Sequence, residues 1–271
     1  MFEPQTWTLV ISGAFTGLVG ALLGLGGGVF LVPLLTLGLG LPIRTAIGAS
    51  LISVIATASS SSTVNLNRGL VNMRLGLVLE VATSLGGLGG GILATLLTQR
   101  QLFLVFGVTL VAMGFVVIQR SGRRNVITEG EAEPGLLGGR IQEDGHSYVY
   151  RVKRLPLGLG ASLGAGAISG LLGVGGGIVK VPALNTFCGV PIRVAAATSA
   201  FMIGVTAATS AFIYWNRGDI SPSASAAVAL GALPAGLLGA RLSERFEARS
   251  LKILMAVVLL LVGTRMGYEG L

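Results

Sequence analysis

Eight stretches of the chain are predominantly apolar: 7–37, 45–64, 75–97, 102–118, 155–187, 194–215, 222–242 and 251–268. Charged residues collect between them. Most of these stretches approach the roughly 20 residues that carry a helix across a hydrocarbon core. A transmembrane β-barrel would show shorter segments of about 10 alternating residues, and the sequence has none. The pattern predicts an all-α polytopic membrane protein.

The pattern also repeats. Gly24, Gly26, Gly27 and Gly28 recur 149 positions later as Gly173, Gly175, Gly176 and Gly177, and Pro33 recurs as Pro182. Pro42-Ile43-Arg44 returns as Pro191-Ile192-Arg193, and Asn67-Arg68-Gly69 as Asn216-Arg217-Gly218. Gly87 and Gly90 find Gly236 and Gly239. Composition alone would match glycines but not Pro-Ile-Arg. The reading is two homologous repeats, 1–118 and 155–271, joined by a polar linker, 119–154. Two-fold internal repeats are the common build of secondary transporters, with the substrate site at the repeat interface. Within the linker, the stretch Ile141 to Val152 around Asp144-Gly145 predicts a small hairpin.

Composition agrees with the membrane reading. Hydrophobic residues make up 52% of the 271 and charged residues 11%, against about a quarter charged in soluble proteins. Mean hydropathy is +0.82. The first segment follows Glu3 rather than a basic run, and at 31 residues (7–37) it is too long for the apolar core of a cleaved signal. The net charge of +8 raises nucleic-acid binding, but seven of the nineteen basic residues lie in the linker and others in short loops. That is the basic bias of cytoplasmic membrane loops, so nucleic acid is not expected as a partner. The single cysteine, Cys188, excludes an internal disulfide.

The glycine triplets interrupt the first segment of each repeat, which allows two topologies. If each segment continues through the membrane, a unit has four crossings and the repeats are parallel. If the triplet is the tip of a re-entrant hairpin, three crossings remain and the repeats are inverted. Leaving out Lys180 and Arg241, which lie within apolar segments, the parallel arrangement puts eleven cations inside and six outside. The inverted arrangement puts thirteen inside and four outside, with the linker cytoplasmic and both termini external. The positive-inside rule favours the inverted hairpin topology.

Irregular backbone in a bilayer survives only where protein buries it or water reaches it. Three consecutive glycines lower helix stability without improving a packing face, whereas they let the chain turn with positive φ and approach a ligand closely. Each triplet would then open a half-helix whose first N–H groups lack partners and carry the positive end of the dipole. Two such ends meeting at the midplane would bind an anion, which makes Gly26, Gly27, Gly28, Gly175, Gly176 and Gly177 candidate substrate-binding residues. Gly86, Gly87, Gly90 and Gly91 read instead as a close helix-packing face. No strand precedes either triplet and no Gly-Lys-Ser/Thr ending follows, so phosphate-loop readings fail.

Lys180 is the sharpest single candidate, because intramembrane charges are costly and face a cavity or a partner. It would supply a cation to an anionic substrate; the bland alternative is a lysine that snorkels to the interface. Its repeat position holds Leu31. Glu80, with Ala229 at its repeat position, could pair with Lys180 or carry a coupling proton; otherwise it sits within a turn of the interface and does little. Ser50 and Ser199 coincide under the repeat and could donate to an oxyanion without permanent charge, as could Thr57 and Thr206. Many such hydroxyls simply bond their own helix backbone. Arg44 and Arg193 could collect anions or orient their helices. The one histidine, His146, lies in the linker, and no Cys, His or carboxylate cluster has metal-ligand spacing. No metal, cofactor or catalytic residue is expected, and the chain does not read as an enzyme.

Gly-Leu-Leu-Gly-Val-Gly-Gly-Gly followed by Val-Pro and then Pro-Ile-Arg, present in variant form in both units, resembles the TauE/SafE family of sulfite and organosulfonate exporters. The resemblance spans 7–118 and 155–268. It implies a multi-pass permease of the bacterial inner membrane that moves a small sulfur-containing anion outward, coupled to an ion such as H+ or Na+. It implies that Gly26–Gly28 and Gly175–Gly177 are the family's glycine loops, with Pro33 and Pro182; it carries no fixed basic residue to Lys180. The sequence leaves two other functions open, an anion channel and a membrane scaffold that transports nothing. It is compatible with an oligomer.

Overall fold

The computed structural model describes residues 4–119, 135–143, 146–243 and 248–271. The linker's acidic residues Glu129, Glu131 and Glu133, its cations Arg120, Arg123 and Arg124, the Asp144-Gly145 turn, Glu3 and Arg245 lie outside them.

The chain is built almost wholly of helices. These are α1 (Pro4–Leu23), α2 (Gly28–Pro33), α3 (Ile43–Asn67), α4 (Met73–Leu96), α5 (Gln99–Gln119), α6 (Leu155–Leu172), α7 (Gly177–Thr186), α8 (Ile192–Asn216), α9 (Pro222–Leu242) and α10 (Ala248–Glu269). A π-helical turn, Leu34–Gly38, extends α2 past Pro33, whereas α7 continues as α-helix past Pro182 to Thr186. Among the described residues, six helices are long and apolar enough to cross a membrane: α1, α3, α4, α6, α8 and α9. This is an all-α polytopic membrane architecture. Three pairs of helices start 149 positions apart: 28 and 177, 43 and 192, 73 and 222.

Side chains that a soluble protein would bury point outward here. Ile11, Phe15, Val81, Leu85, Val108, Phe212 and Leu230 are exposed, while among the described residues the interior holds serines, threonines and two charges, Glu80 and Lys180. An apolar exterior of this extent needs lipid around it.

The helices of the two halves interleave. α1 packs on α9, and α4 on α6, through small residues that let backbones touch. A Cβ added at Gly86 or Gly90 would collide with the backbone of Leu163 or Ala167, and one at Gly166 or Gly170 with that of Thr83 or Gly87. The matched order of these contacts makes α4 and α6 run parallel. α1 and α9 do the same, Val10 and Ala14 lying beside Gly231 and Leu18 beside Gly239. By contrast α5 and α10 are antiparallel: Gly114 lies against Leu260 and Ala256, Gly107 against Gly263 and Gly267, and Leu104 against Gly270. The Arg100 Nε donates to the Gly270 carbonyl over 2.8 Å, and Arg68 Nη1 at the end of α3 donates to the Ala240 carbonyl near the end of α9 over 3.0 Å.

The linker does form a hairpin. β1 (Gly139–Glu143) and β2 (His146–Tyr150) pair antiparallel with Glu143 opposite His146, the register a two-residue Asp-Gly connection favours. It is docked rather than free. The Asn72 Nδ2, at the start of α4, donates to the Leu137 carbonyl (2.8 Å) and to the Tyr150 hydroxyl (2.9 Å). Ile141 and Tyr150 are buried in one cluster with Leu75, Leu79, Leu184 and Met202, and burial pushes the Tyr150 hydroxyl up from its ordinary pKa.

Candidate functional site

Each glycine loop turns the chain back on its own helix. Gly24, Gly26 and Gly27 have φ of 69°, 83° and 81°, and Gly173, Gly175 and Gly176 have 69°, 84° and 69°. Residues with a Cβ rarely adopt this left-handed region. The Leu25 N–H donates to the Gly20 carbonyl (2.8 Å). A Cβ at Gly27 would then stand 2.5 Å from the Thr16 carbonyl oxygen, and one at Gly176 2.6 Å from that of Ala165. α2 and α7 therefore start beside the helices that precede them, each behind a left-handed glycine N-cap with no side-chain cap.

The two loops also meet each other. Gly28 faces the Gly173 carbonyl, and a Cβ at Gly177 would lie 2.9 Å from the Gly24 oxygen. Val54 of α3 and Ile203 of α8 flank the contact, both touching Gly26 and Gly175. Val54 and Ile203 were not among the candidates read from the sequence. They stand 149 positions apart (203 − 54), so the repeat offset, applied to apolar positions, would have found them.

The charged candidates are brought together although 100 residues separate them (180 − 80). Lys180, one turn into α7, has a fully buried side chain. Its Nζ donates to the Thr206 Oγ1 at 2.9 Å and lies 3.9 Å from the Glu80 Oε2. The Thr206 Oγ1 donates in turn to the Glu80 Oε1 at 2.8 Å. Thr83 Oγ1 reaches Glu80 Oε2 at 3.1 Å, and Ser84 Oγ reaches Oε1 at 3.1 Å. Glu80 begins the eighth position of α4, about 10 Å of helix rise from its start. Lys180 thus does not snorkel; it is spent on an internal partner. Thr206, which the sequence offered only among several hydroxyls, is the bridge.

The paired serines differ. Ser50 Oγ donates to the Gly173 carbonyl over 2.8 Å, tying α3 to the second glycine loop. Ser199 Oγ is fully buried and has no hydrogen-bond partner among the described residues, as is true of Thr57 Oγ1. Ser60, Ser61, Thr209 and Ser210 bond carbonyls of their own helices. Arg44 Nη2 donates to the Leu97 carbonyl (2.6 Å), so it ties α3 to the end of α4. No group of three or more potential metal ligands occurs among the described residues.

The family profile described as "Sulfite exporter TauE/SafE" matches residues 9–266. The "Probable membrane transporter protein YunE" of Bacillus subtilis is 28% identical over 270 residues, covering 97% of each chain. A "Probable membrane transporter protein" of Xylella fastidiosa is 27% identical over 88% of this chain and 84% of its own. A relative in Methanocaldococcus jannaschii, also a probable membrane transporter protein, is 26% identical over 94% of this chain and 92% of its own. No solved structure matches the chain.

Proposed function

The chain belongs to the sulfite exporter TauE/SafE family, and from that premise we propose that it is a secondary exporter of a small sulfur-containing oxyanion such as sulfite, thiosulfate or a sulfonate. The anion binds between the two glycine loops, and the halves rock around it in alternating access. The observation that carries this reading is the meeting of two uncapped helix starts with a buried lysine one turn inside the second. The loops offer backbone N–H groups at the positive ends of two dipoles, Ser199 offers an unspent hydroxyl, and Lys180 offers a charge that an anion can draw from Glu80.

Two inverted repeats carry the site. Supporting this, α5 and α10 are antiparallel, whereas parallel repeats would run them the same way. The Arg68–Ala240 bond likewise puts the ends of α3 and α9 on one face. Both agree with three crossings per unit, a re-entrant hairpin at each triplet, a cytoplasmic linker and external termini. Tags at the two ends accessible from outside intact cells support this topology, and ends accessible only after permeabilisation overturn it.

Transport is tested with purified protein in liposomes. Saturable exchange of sulfite or thiosulfate supports a carrier. Flux that never saturates favours a channel, and no flux of any sulfur oxyanion leaves a scaffold.

A further inference from the structure

We propose that Glu80 takes up one proton whenever an anion draws Lys180 away from it, so that the Glu80–Thr206–Lys180 cluster couples proton movement to anion transport. The proposal rests on the transport reading above and adds the ion that moves with the anion.

Charge balance is the first argument. The cluster holds one positive and one negative side chain, both buried among the helices. A monoanion that binds Lys180 leaves the Glu80 carboxylate without its counter-charge, and a buried unpaired charge is strongly destabilising. One proton on Glu80 restores neutrality. In balanced form, the carboxylate paired with the Lys180 ammonium, one anion and one proton become a neutral Glu80 carboxylic acid and an anion paired with the ammonium. Release of the anion reverses the step.

The hydrogen bonds are arranged to permit it. Two of the three hydroxyls that reach Glu80 have a second acceptor in range: Thr206 the Met202 carbonyl at 3.0 Å, and Thr83 the Leu79 carbonyl at 2.9 Å. When Glu80 becomes neutral, each can rotate to its own helix backbone, so neither hydroxyl is orphaned. A purely structural ion pair needs no such alternatives.

Among the described residues, no other group competes for the role. Of the elements around Glu80, α6 carries no ionisable side chain and α7 carries Lys180 alone. On α8, Arg193 and Tyr214 lie 13 and 8 positions from Thr206, about 20 and 12 Å along the axis. Tyr214 is occupied with the Leu171 carbonyl. Arg74, on α4 itself, is six positions toward the helix start, about 9 Å away. Tyr150 of the hairpin accepts from Asn72, and buried Cys188 lies in the same apolar cluster.

The test uses the full chain in liposomes with a trapped pH dye and an inward gradient of methanesulfonate, which stays ionised at neutral pH and cannot carry the proton itself. The expected result is about one proton entering per anion, with accumulation changing about tenfold per pH unit imposed and no response to a potassium diffusion potential. In Glu80→Gln the number of protons per anion falls toward zero whatever the remaining flux. Wild-type methanesulfonate flux without a dye response, or an unchanged ratio in E80Q, overturns the coupling and leaves transport standing. If E80Q does not fold, the wild-type ratio and its indifference to potential decide alone. No flux of methanesulfonate, thiosulfate or sulfite overturns both readings.

Discussion

The two glycine hairpins of this protein place similar helix starts around different chemistry. Where the second half has Lys180 on α7, the first has Leu31 on α2; where α4 carries Glu80, α9 carries Ala229. Both Leu31 and Lys180 are buried. Thr206 bridges the two charges beside the second hairpin, while its counterpart Thr57, on the first hairpin's side, has no hydrogen-bond partner among the described residues. The helix starts, the left-handed glycines and the flanking Val54 and Ile203 are alike in both. The surroundings of the first hairpin, with Leu31 on α2 and Ala229 on α9, therefore show that a glycine hairpin closes and packs without a buried ion pair. The ion pair around the second hairpin, which joins α4 of the first half to α7 of the second, is an addition to the scaffold, and its presence in an apolar setting points to function.

The largest effect expected comes from breaking the pair on one side. Lys180→Leu leaves Glu80 buried and uncompensated, which costs about 3–5 kcal/mol unless the carboxyl takes a proton. Thermal unfolding in detergent at neutral pH should register the loss, and lowering the pH should recover part of it, since protonation removes the lone charge. The double replacement Glu80→Ala with Lys180→Leu gives each position the residue of its repeat counterpart, Ala229 and Leu31, and should restore stability to near wild type while transport stays lost. A double variant as unstable as the single one would show that the charges hold the fold together, and the contrast between halves would collapse.

An intermediate effect separates the two threonines. Thr206→Val keeps shape but removes both a donor to Glu80 and an acceptor for Lys180, for about 1–3 kcal/mol and a roughly tenfold slower transport. Thr57→Val removes a hydroxyl that bonds nothing and should be close to neutral in both assays. Equal losses from the two would mean that Thr57 acquires a partner in a conformation that the cycle visits.

Which of these features could be read in advance follows from how local their causes are. The six long apolar helices, the Pro-Ile-Arg helix starts and the two strands of the linker hairpin depend on neighbours in sequence, and each falls within a stretch that the pattern marks. The glycine breaks were visible too, because three glycines in an apolar run conflict with a continuous helix. The pairing of Glu80 with Lys180 could be named only as one option, since it depends on α4 of one half packing beside α7 and α8 of the other. The interleaving itself, α1 on α9 and α4 on α6, had no signal beyond small residues at four-residue steps. Those residues mark a contact face without naming the helix that fills it. Thr206 was hidden among hydroxyls for the same reason: most of its neighbours in kind bond their own helix, and only its distant partners set it apart.

The smallest effect sharpens the contrast at the loops. Ser50 and Ser199 occupy corresponding positions, yet Ser50 holds the Gly173 carbonyl and Ser199 holds nothing. Ser50→Ala strips a partner from a buried carbonyl and should lower stability by about 1 kcal/mol, with ligand affinity following only as far as the loop shifts. Ser199→Ala removes no bond of the unliganded protein, so its unfolding temperature without ligand should stay within about a degree. If Ser199 donates to the bound oxyanion, the stabilisation that thiosulfate or sulfite confers should shrink in this variant, by about the 1 kcal/mol of one hydrogen bond. Identical ligand-induced shifts in Ser199→Ala and wild type would take Ser199 out of the site, leaving the glycine loops and Lys180 as the groups that hold the anion.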